Sequence, residues 1–499
     1  MEREVPYHPK PDPEYRCAIS FEDLQKIFSG CDDFYVREIR LGLEKNILCA
    51  VCWIDGLVSE TDISEQILKP LTDHARLQAA DCSRKAVRQI QQGAVYRGTI
   101  QTRKAMDDLV SDLTAGHAAV LFEGLRLALT FEVKSAQGRA VSESGMEKAV
   151  KGPRDAFVET LRVNTGLVRR RLRTPKLKQR QQTVGRESHT PVSIFYIEGI
   201  ARPDLVEMVR RRLKELDIDA LLSAGDLEPY LTQGGRNPLP LAGHTERPDK
   251  FAAALLQGRV GVLADGLPTG YLLPGTLPLL MRVPEDRADH PLVATGLTLL
   301  RWLALLLSLT LPALYVAAAV HHQEMLPTAL LVSMVEAEAQ VPFGTATVML
   351  FLLLSFELLQ EAGLRLPAPV GQTVSIIGAL LVGEAAVSAR VASPIAIIVV
   401  AMAGIAGYNV PNQEIGSLLR FARLGLVLAA ALGGMFGVTL SLAALVWYAC
   451  AAESLGVAWL YPLVDSEERA LFRVFFQREQ QKEKTREKAF VFRNRRKQK

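Results

Sequence analysis

The chain lacks the signatures that would make it an energy-driven pump or a dinucleotide enzyme. No Gly-x-x-x-x-Gly-Lys-Ser/Thr loop occurs to cradle phosphates, and no Gly-x-Gly-x-x-Gly follows a strand. A Gly-x-Ser-x-Gly nucleophile elbow is missing too, so no enzyme activity and no cofactor are expected. Cysteine is scarce. The six cysteines, at 17, 31, 49, 52, 82 and 450, have neither the density nor the spacing of a secreted disulfide scaffold, which points to a reducing compartment. Cys49 and Cys52 form one Cys-x-x-Cys, but it lies inside the apolar run Ile47 to Ile54 with no second pair to complete a zinc tetrahedron. Strand core is the expectation there, and no metal site. The first residues, Met1-Glu-Arg-Glu-Val-Pro, carry no apolar signal segment, so membrane insertion is expected to be directed by internal helices.

What is present divides the 499 residues by solvent. Charges run throughout the first 290, whereas positions 291 to 464 are dominated by Leu, Ala, Val, Ile and Gly. The length calls for two or three domains. Net charge is only +4, but its distribution is uneven. After Leu463 there are twelve Lys/Arg against six Asp/Glu, and the cluster from Arg169 to Arg180 holds no acid. Beside apolar helices such clusters face anionic lipid or mark the cytosolic side, so lipid rather than nucleic acid is the expected partner.

Within the soluble region a single pattern occurs twice. The strand Ile47 to Ile54 ends in Asp55-Gly56 and precedes a helix carrying Ile63, Ile67, Leu68 and Leu71. A helix over Met106 to Leu113 then leads through Gly116 to the strand Ala118 to Phe122, the turn Glu123-Gly124 and a strand Leu125 to Val133. The second copy runs from Val192 to Ile197, through Glu198-Gly199 and a helix with Leu205, Val209 and Leu213, to Phe251 to Leu256, Gly258, Val260 to Leu263 and Asp265-Gly266. The acid-Gly landmarks are 68 residues apart in one copy and 67 in the other, and both later landmarks fit Gly-x-x-x-Val-Leu-x-acid-Gly-Leu. An internal duplication of an α/β unit follows. The acid-Gly pairs are expected to supply the positive φ of a tight strand exit rather than catalysis.

The predicted fold class is an α/β soluble region of two related subdomains, followed by an α-helical transmembrane bundle of about four spans. The predicted organisation is an extended N-terminal arm over 1–19, a first α/β subdomain over 20–145, a basic connecting segment over 146–190, and a second α/β subdomain over 191–290. A transmembrane helical domain over 291–464 and a charged cytosolic tail over 465–499 complete it. Trp302 to Val320 is uncharged and long enough to cross a bilayer; 343–358, 391–410 and 424–450 are the next candidates. The marginal stretch 374–389 is read as a partial or inward-facing helix. Charges bordering the helices put both ends in the cytosol and favour an even number of crossings. Ionisable residues inside such helices are costly and therefore informative. Glu357, Glu361 and Arg365 are four apart and share one face, where they can pair or mark a helix end. Glu384, alone between Gly383 and Ala385, must face protein, water or an ion. Gly433-x-x-x-Gly437 permits close helix approach, and the adjacent His321-His322 pair diverges too far on a helix to share a metal.

Several strings, in consistent order over 150–464, together resemble the A subunits of spore germination receptors, the GerA family, which includes a relative encoded with the spore dipicolinate-channel proteins. They are Lys151-Gly-Pro-Arg-Asp-Ala-Phe-Val-Glu159, Asn164-Thr-Gly-Leu-Val-Arg-Arg-Arg171, Thr245-Glu-Arg-Pro-Asp-Lys250, Ala252-Ala-Ala-Leu-Leu-Gln-Gly-Arg-Val260, Leu311-Pro-Ala-Leu-Tyr315, Val341-Pro-Phe343, Phe356-Glu-Leu-Leu-Gln-Glu-Ala-Gly-Leu-Arg-Leu-Pro367, Gly371-Gln-Thr373 and Ser393-Pro394. The resemblance implies an integral protein of the spore inner membrane that acts with B and C partner subunits, forms homo-oligomers and couples nutrient sensing to release of monovalent cations. Glu384, Glu357, Glu361 and Arg365 then become candidates for an ion path. Arg154, Arg169, Arg170, Arg171, Glu246, Arg247 and Asp249 become candidates for contacts with a neighbouring subunit or lipid headgroups, since Arg binds carboxylate and phosphate in pairs of hydrogen bonds. In Thr245-Glu-Arg-Pro-Asp-Lys250 a helix cap is the competing reading: Thr245 caps, Pro248 opens the turn and Asp249 meets the helix dipole. A membrane-anchored scaffold for partner subunits and a secondary transporter of small amino acids are the alternative functions.

Overall fold

A computed structural model describes residues 14–15, 17–41, 47–95, 99–134, 147, 152–232, 237–365 and 383–464, with 472, 474–477, 485–487, 489–492 and 494. Most of the arm over 1–19 and of the stretch 374–389 lies outside these residues. The chain forms two compact units: Met1–Gln233 with His244–Pro274 and Lys484–Lys499, and Gly234–Gly243 with Gly275–Glu483.

The first unit holds two five-stranded sheets. The first sheet contains β1 (Phe34–Leu41), β2 (Ile47–Ile54), β3 (Ile100–Arg103), β4 (His117–Phe122) and β5 (Ala128–Glu132) in the order β1-β2-β4-β5-β3. In the second, β6 (Leu177–Val184), β7 (Thr190–Ile197), β8 (Gly243–Thr245), β9 (Val260–Ala264) and β10 (Gly270–Leu273) run β6-β7-β9-β10-β8. Adding five to each number converts one order into the other, so the repeat seen in the sequence is a repeat of topology. Pairing is antiparallel, with Cys49 opposite Phe122 in one sheet and Val192 opposite Ala264 in the other.

Local chemistry explains why the copies fold alike. Ile63, Ile67, Leu68 and Leu71 are all buried after the first turn. Helix α1 (Met106–Thr114) ends before Gly116 at φ +92°, and the corresponding helix of the second copy, Pro248–Leu256, ends before Gly258 at φ +97°. Glycine terminates both because a left-handed residue closes a helix without a Cβ clash. All four acid-Gly landmarks are positive-φ turns, with φ between +75° and +81° at Gly56, Gly124, Gly199 and Gly266. Cys49 and Cys52 are strand core: an odd spacing puts them on opposite faces, and burial pushes the Cys49 thiol up to about 12 and raises Cys52 as well.

The basic stretch 146–190 is more than a connector. It carries helix α2 (Leu161–Arg171) and strand β6, so the second sheet begins before residue 191. Arginine-rich sequence reads as solvated loop, yet here Lys178 Nζ donates to Ile27 O at 3.0 Å and Gln179 Nε2 to Ser193 Oγ at 2.8 Å. The tail also departs from a plain charge run. Phe490 and Val491 are buried, Val491 bridges to Ala201, and Phe492 N donates to Ile200 O at 2.9 Å. Arg259 lies over the Phe490 ring at 4.1 Å, and a Cβ on Gly258 would sit 2.6 Å from Phe490 O. Helix α3 (Pro203–Glu215) covers the second sheet with Leu205, Val209 and Leu213, and α4 is the helix Pro248–Leu256.

The second unit is a helical bundle of α5 (Pro291–Val320), α6 (Thr328–Glu338), α7 (Thr345–Arg365), α8 (Pro394–Tyr408) and α9 (Gln413–Ala451). Three are long and apolar enough to cross a membrane, over Pro291–Val320, Thr345–Gly363 and Gln413–Ala451; Pro394–Tyr408 is apolar but shorter. At the start of α5 the buried Arg301 is held by Asp286 and by Met281 O, at 2.9 and 2.8 Å from its Nη1. The uncharged run from Trp302 therefore begins where the last cation of α5 is neutralised.

Helix α9 turns back on itself at Gly434, whose φ and ψ are +56° and −140°. A Cβ on Gly437 would lie 2.1 Å from Ala429 O, although eight residues of straight helix span about 12 Å. Ala431 O accepts from His321 at the far end of α5, while Tyr448 bonds Asn237 and Trp459 O accepts from Leu277 N, close before α5 in sequence. The Gly433-x-x-x-Gly437 string thus sits at the reversal, and His321 and His322 pack against it.

Candidate functional site

Two of the four acid-Gly turns, one from each copy, converge on α2. Asp55 accepts from Arg162 at 2.7 and 2.8 Å, and the same guanidinium reaches Glu60 at 2.9 Å. Asp265, from the second copy, accepts the first free amide of α2, Leu161 N, at 2.9 Å. Neighbouring backbones touch: a Cβ on Gly166 would fall 2.3 Å from Gly56 O. Both carboxylates thus hold a helix, one through a side chain and one through its first amide.

Arg169 makes the strongest of these contacts. Only 1% exposed, its Nε and Nη2 donate to the two Asp33 oxygens at 2.7 Å each. Beside this fork, Asp32 N donates to Gln179 O at 2.9 Å and Gln181 N to Asp32 Oδ2 at 2.8 Å. Of the arginines considered for outside contacts, Arg169 is therefore satisfied inside the chain and Arg171 pairs with Asp155. Arg170 is half-buried, and Arg154 is exposed.

The Thr245 to Lys250 string forms a closed network. Thr245 Oγ1 accepts from Arg247 N at 3.1 Å and donates to Glu147 at 2.6 Å. Arg247, buried as the N-cap of α4, forks onto Asp249 at 3.0 and 2.8 Å, and Lys250 also binds Glu147. Burial alone would raise the Asp249 carboxyl, but the Arg247 hydrogen bonds and charge outweigh it and hold the group below the usual carboxylate range. Pro248 opens the helix as expected. Glu246 is half-buried, with its carbonyl accepting from Phe157 N.

In the bundle, Glu357 is bound across helices by Arg420 at 2.8 Å. Glu361 and Glu384 are exposed on the single chain, and the Arg365 side chain lies outside the described residues. Three charged features escaped sequence reading. Glu338 accepts hydroxyls from Tyr315 at 3.2 Å and Thr345 at 3.0 Å. Arg301 and Asp286 pair below α5, and Arg423 is buried one turn after Arg420. The Arg-Phe-Ala-Arg spacing ahead of an uncharged run was the available signal for the last.

A family model described as the Bacillus/Clostridium GerA spore germination protein matches residues 22–489. Spore germination protein KA of Bacillus subtilis (strain 168) is 33% identical over 461 residues, covering 92% of this chain and 84% of its own. The uncharacterized membrane protein YfkQ of the same organism is 34% identical over 442 residues, 88% of this chain and 85% of its own. Stage V sporulation protein AF, also from Bacillus subtilis (strain 168), is 31% identical over 388 residues, 77% and 78% of the two chains. The crystal structure of the N-terminal domain of the A subunit of the Bacillus megaterium spore germinant receptor GerK3 aligns at 26% identity and a TM-score of 0.39, covering 51% of this chain and 92% of that one.

Proposed function

Because this chain belongs to the GerA family of spore germination proteins, we propose that it is the A-type subunit of a spore germinant receptor, converting nutrient sensing by its complex into cation release across the spore inner membrane. The observation that carries this reading is one family match spanning both the repeated α/β unit and the apolar helices, residues 22–489. On this reading its partners are B and C subunits, further copies of itself, membrane lipids and monovalent cations.

The geometry supports the arrangement in two ways. Residues 485–494 of the tail belong to the same compact unit as the soluble region, which supports a reading with both ends on one side of the bilayer and an even number of crossings. Within the bundle, Glu357 is occupied by Arg420, whereas Glu384 and Glu361 face outward. That favours a path lined where copies meet over one through a single bundle. The same occupied interior also favours the second reading, an anchored scaffold that conducts nothing by itself.

Potassium release from spores carrying Glu384→Ala tests the first reading. Slower or altered release is expected, and unchanged release with unchanged germination removes Glu384 from the mechanism. Reconstitution of the full chain with its partner subunits in liposomes separates the readings: nutrient-dependent cation flux supports the receptor subunit, and flux that persists when this chain is omitted leaves only the scaffold.

A further inference from the structure

Arg423 stands immediately before the longest uncharged run of the chain, Leu424 to Ala452, and is only 4% exposed. Its Nε and Nη1 have no hydrogen-bond partner among the described residues. One turn earlier, Arg420 donates to Glu357 at 2.8 Å. This region of the bundle therefore holds two guanidinium groups and one carboxylate, and the carboxylate is already engaged.

The other acids offer no substitute. Between residues 291 and 464, Glu338 accepts hydroxyl groups from Tyr315 and Thr345, and the remaining carboxylates lie on the exposed surface. Residues 366–382 contain no Asp or Glu at all. A guanidinium cannot discharge itself by losing a proton, and unpaired buried donors are expensive wherever water is excluded. Among the described residues the structure thus presents a buried guanidinium with two unmet donors, Nε and Nη1, on different edges of its plane.

A buried cation with unmet N–H donors is met by an oxyanion, whose oxygens accept charge-assisted hydrogen bonds. We infer that Arg423 forms the floor of an oxyanion site in the bundle, with Arg420 adding a second positive charge, and that the site takes a phosphate-type group from a lipid headgroup or from solution. Its place at the start of the uncharged run puts it at the level where headgroup phosphates meet a crossing helix. The inference goes beyond the germination reading and is independent of it, because no nutrient, partner subunit or cation flux enters the argument.

The test uses the full-length protein in an uncharged detergent at constant ionic strength set with chloride. Thermal unfolding is followed in two titrations, one with inorganic phosphate and one with phosphatidylglycerol added to the micelles. Wild type is expected to gain stability in at least one arm: the lipid arm alone identifies a headgroup, and the phosphate arm alone identifies a dissolved anion. Arg423→Met should weaken the response by about tenfold or more in apparent affinity. Arg423→Lys, which keeps the charge but loses the planar guanidinium donors, should fall between, and it serves if the Met variant does not fold. Arg76→Gln, an exposed arginine of the other unit, should respond as wild type. A wild type that responds in neither arm, or Met and Lys variants that respond as wild type does, overturns the site.

Discussion

Removing Asp33 should cost far more than its place in a loop before β1 indicates. The side chains of Asp33 and Arg169 are 3% and 1% exposed, so Asp33→Ala leaves a permanent cation with two donors stranded in the interior of the soluble unit. An exposed ion pair contributes about 0–1 kcal/mol. Breaking a buried pair from one side costs about 3–5 kcal/mol, because the surviving charge keeps its desolvation penalty. At about 2–4 °C per kcal/mol for a unit of this size, the midpoint should fall by roughly 6–20 °C. The assay is thermal unfolding of the full-length protein in detergent, with hydrogen exchange of peptides 33–54 and 161–184 reporting the soluble unit. The double variant Asp33→Ala, Arg169→Met removes both charges and should be less damaged than Asp33→Ala alone. A loss below about 1 kcal/mol for Asp33→Ala, or a double variant equal to the sum of the singles, would refute the argument that these charges depend on each other.

Gly166→Ala should lower stability by on the order of 3 kcal/mol, since its Cβ would meet Gly56 O at 2.3 Å; Gly124→Ala, at φ +75° in open space, should cost only about 1–2 kcal/mol, and equal losses would contradict the close approach. Asp249 titrates below its unfolded value, so its pairing with Arg247 contributes stability above pH ~4 that is lost as pH falls through the depressed folded value. Arg247→Gln should flatten that acid limb in a series of unfolding midpoints, and an unchanged limb would assign it elsewhere. With its thiol pushed up to about 12, Cys49 should carry about a thousandfold less thiolate than an ordinary cysteine at neutral pH. Maleimide should label the exposed Cys17 and Cys82 and reach Cys49 only after unfolding, and rapid native labelling of Cys49 would contradict the buried strand.

What could be read from sequence is what local pattern controls. β2, α1, β4 and β9 lie where apolar runs and closing glycines place them, and the equal spacing of the acid-Gly turns carries over into equal strand order. β6 was not legible because Leu-Lys-Gln-Arg-Gln-Gln-Thr-Val lacks apolar alternation; its buried Lys178 and the Gln179 amide nitrogen donate to Ile27 and Ser193, which no local window contains. Arg169 was taken for surface for the same reason, its partner lying 136 residues upstream. Spacing of four relates Glu357 to Glu361 and Arg365, but the cation that binds Glu357 is 63 residues away on α9. Hydropathy sees 424–450 as one crossing because it is blind to backbone angle; only the Gly433-Gly434 pair marked where the chain reverses.

A ribosome reaches Phe490 only after the whole apolar bundle has been synthesised, yet Phe490 completes the unit that was begun first. Until it arrives, the seat formed by Gly258, Arg259 and Ala201 stays open to water. On the proposed membrane reading, a molecule threaded with its last segment across the bilayer from the soluble unit could not fill that seat. Closing the tail would, on that same reading, couple the maturity of the soluble half to insertion of the helical half.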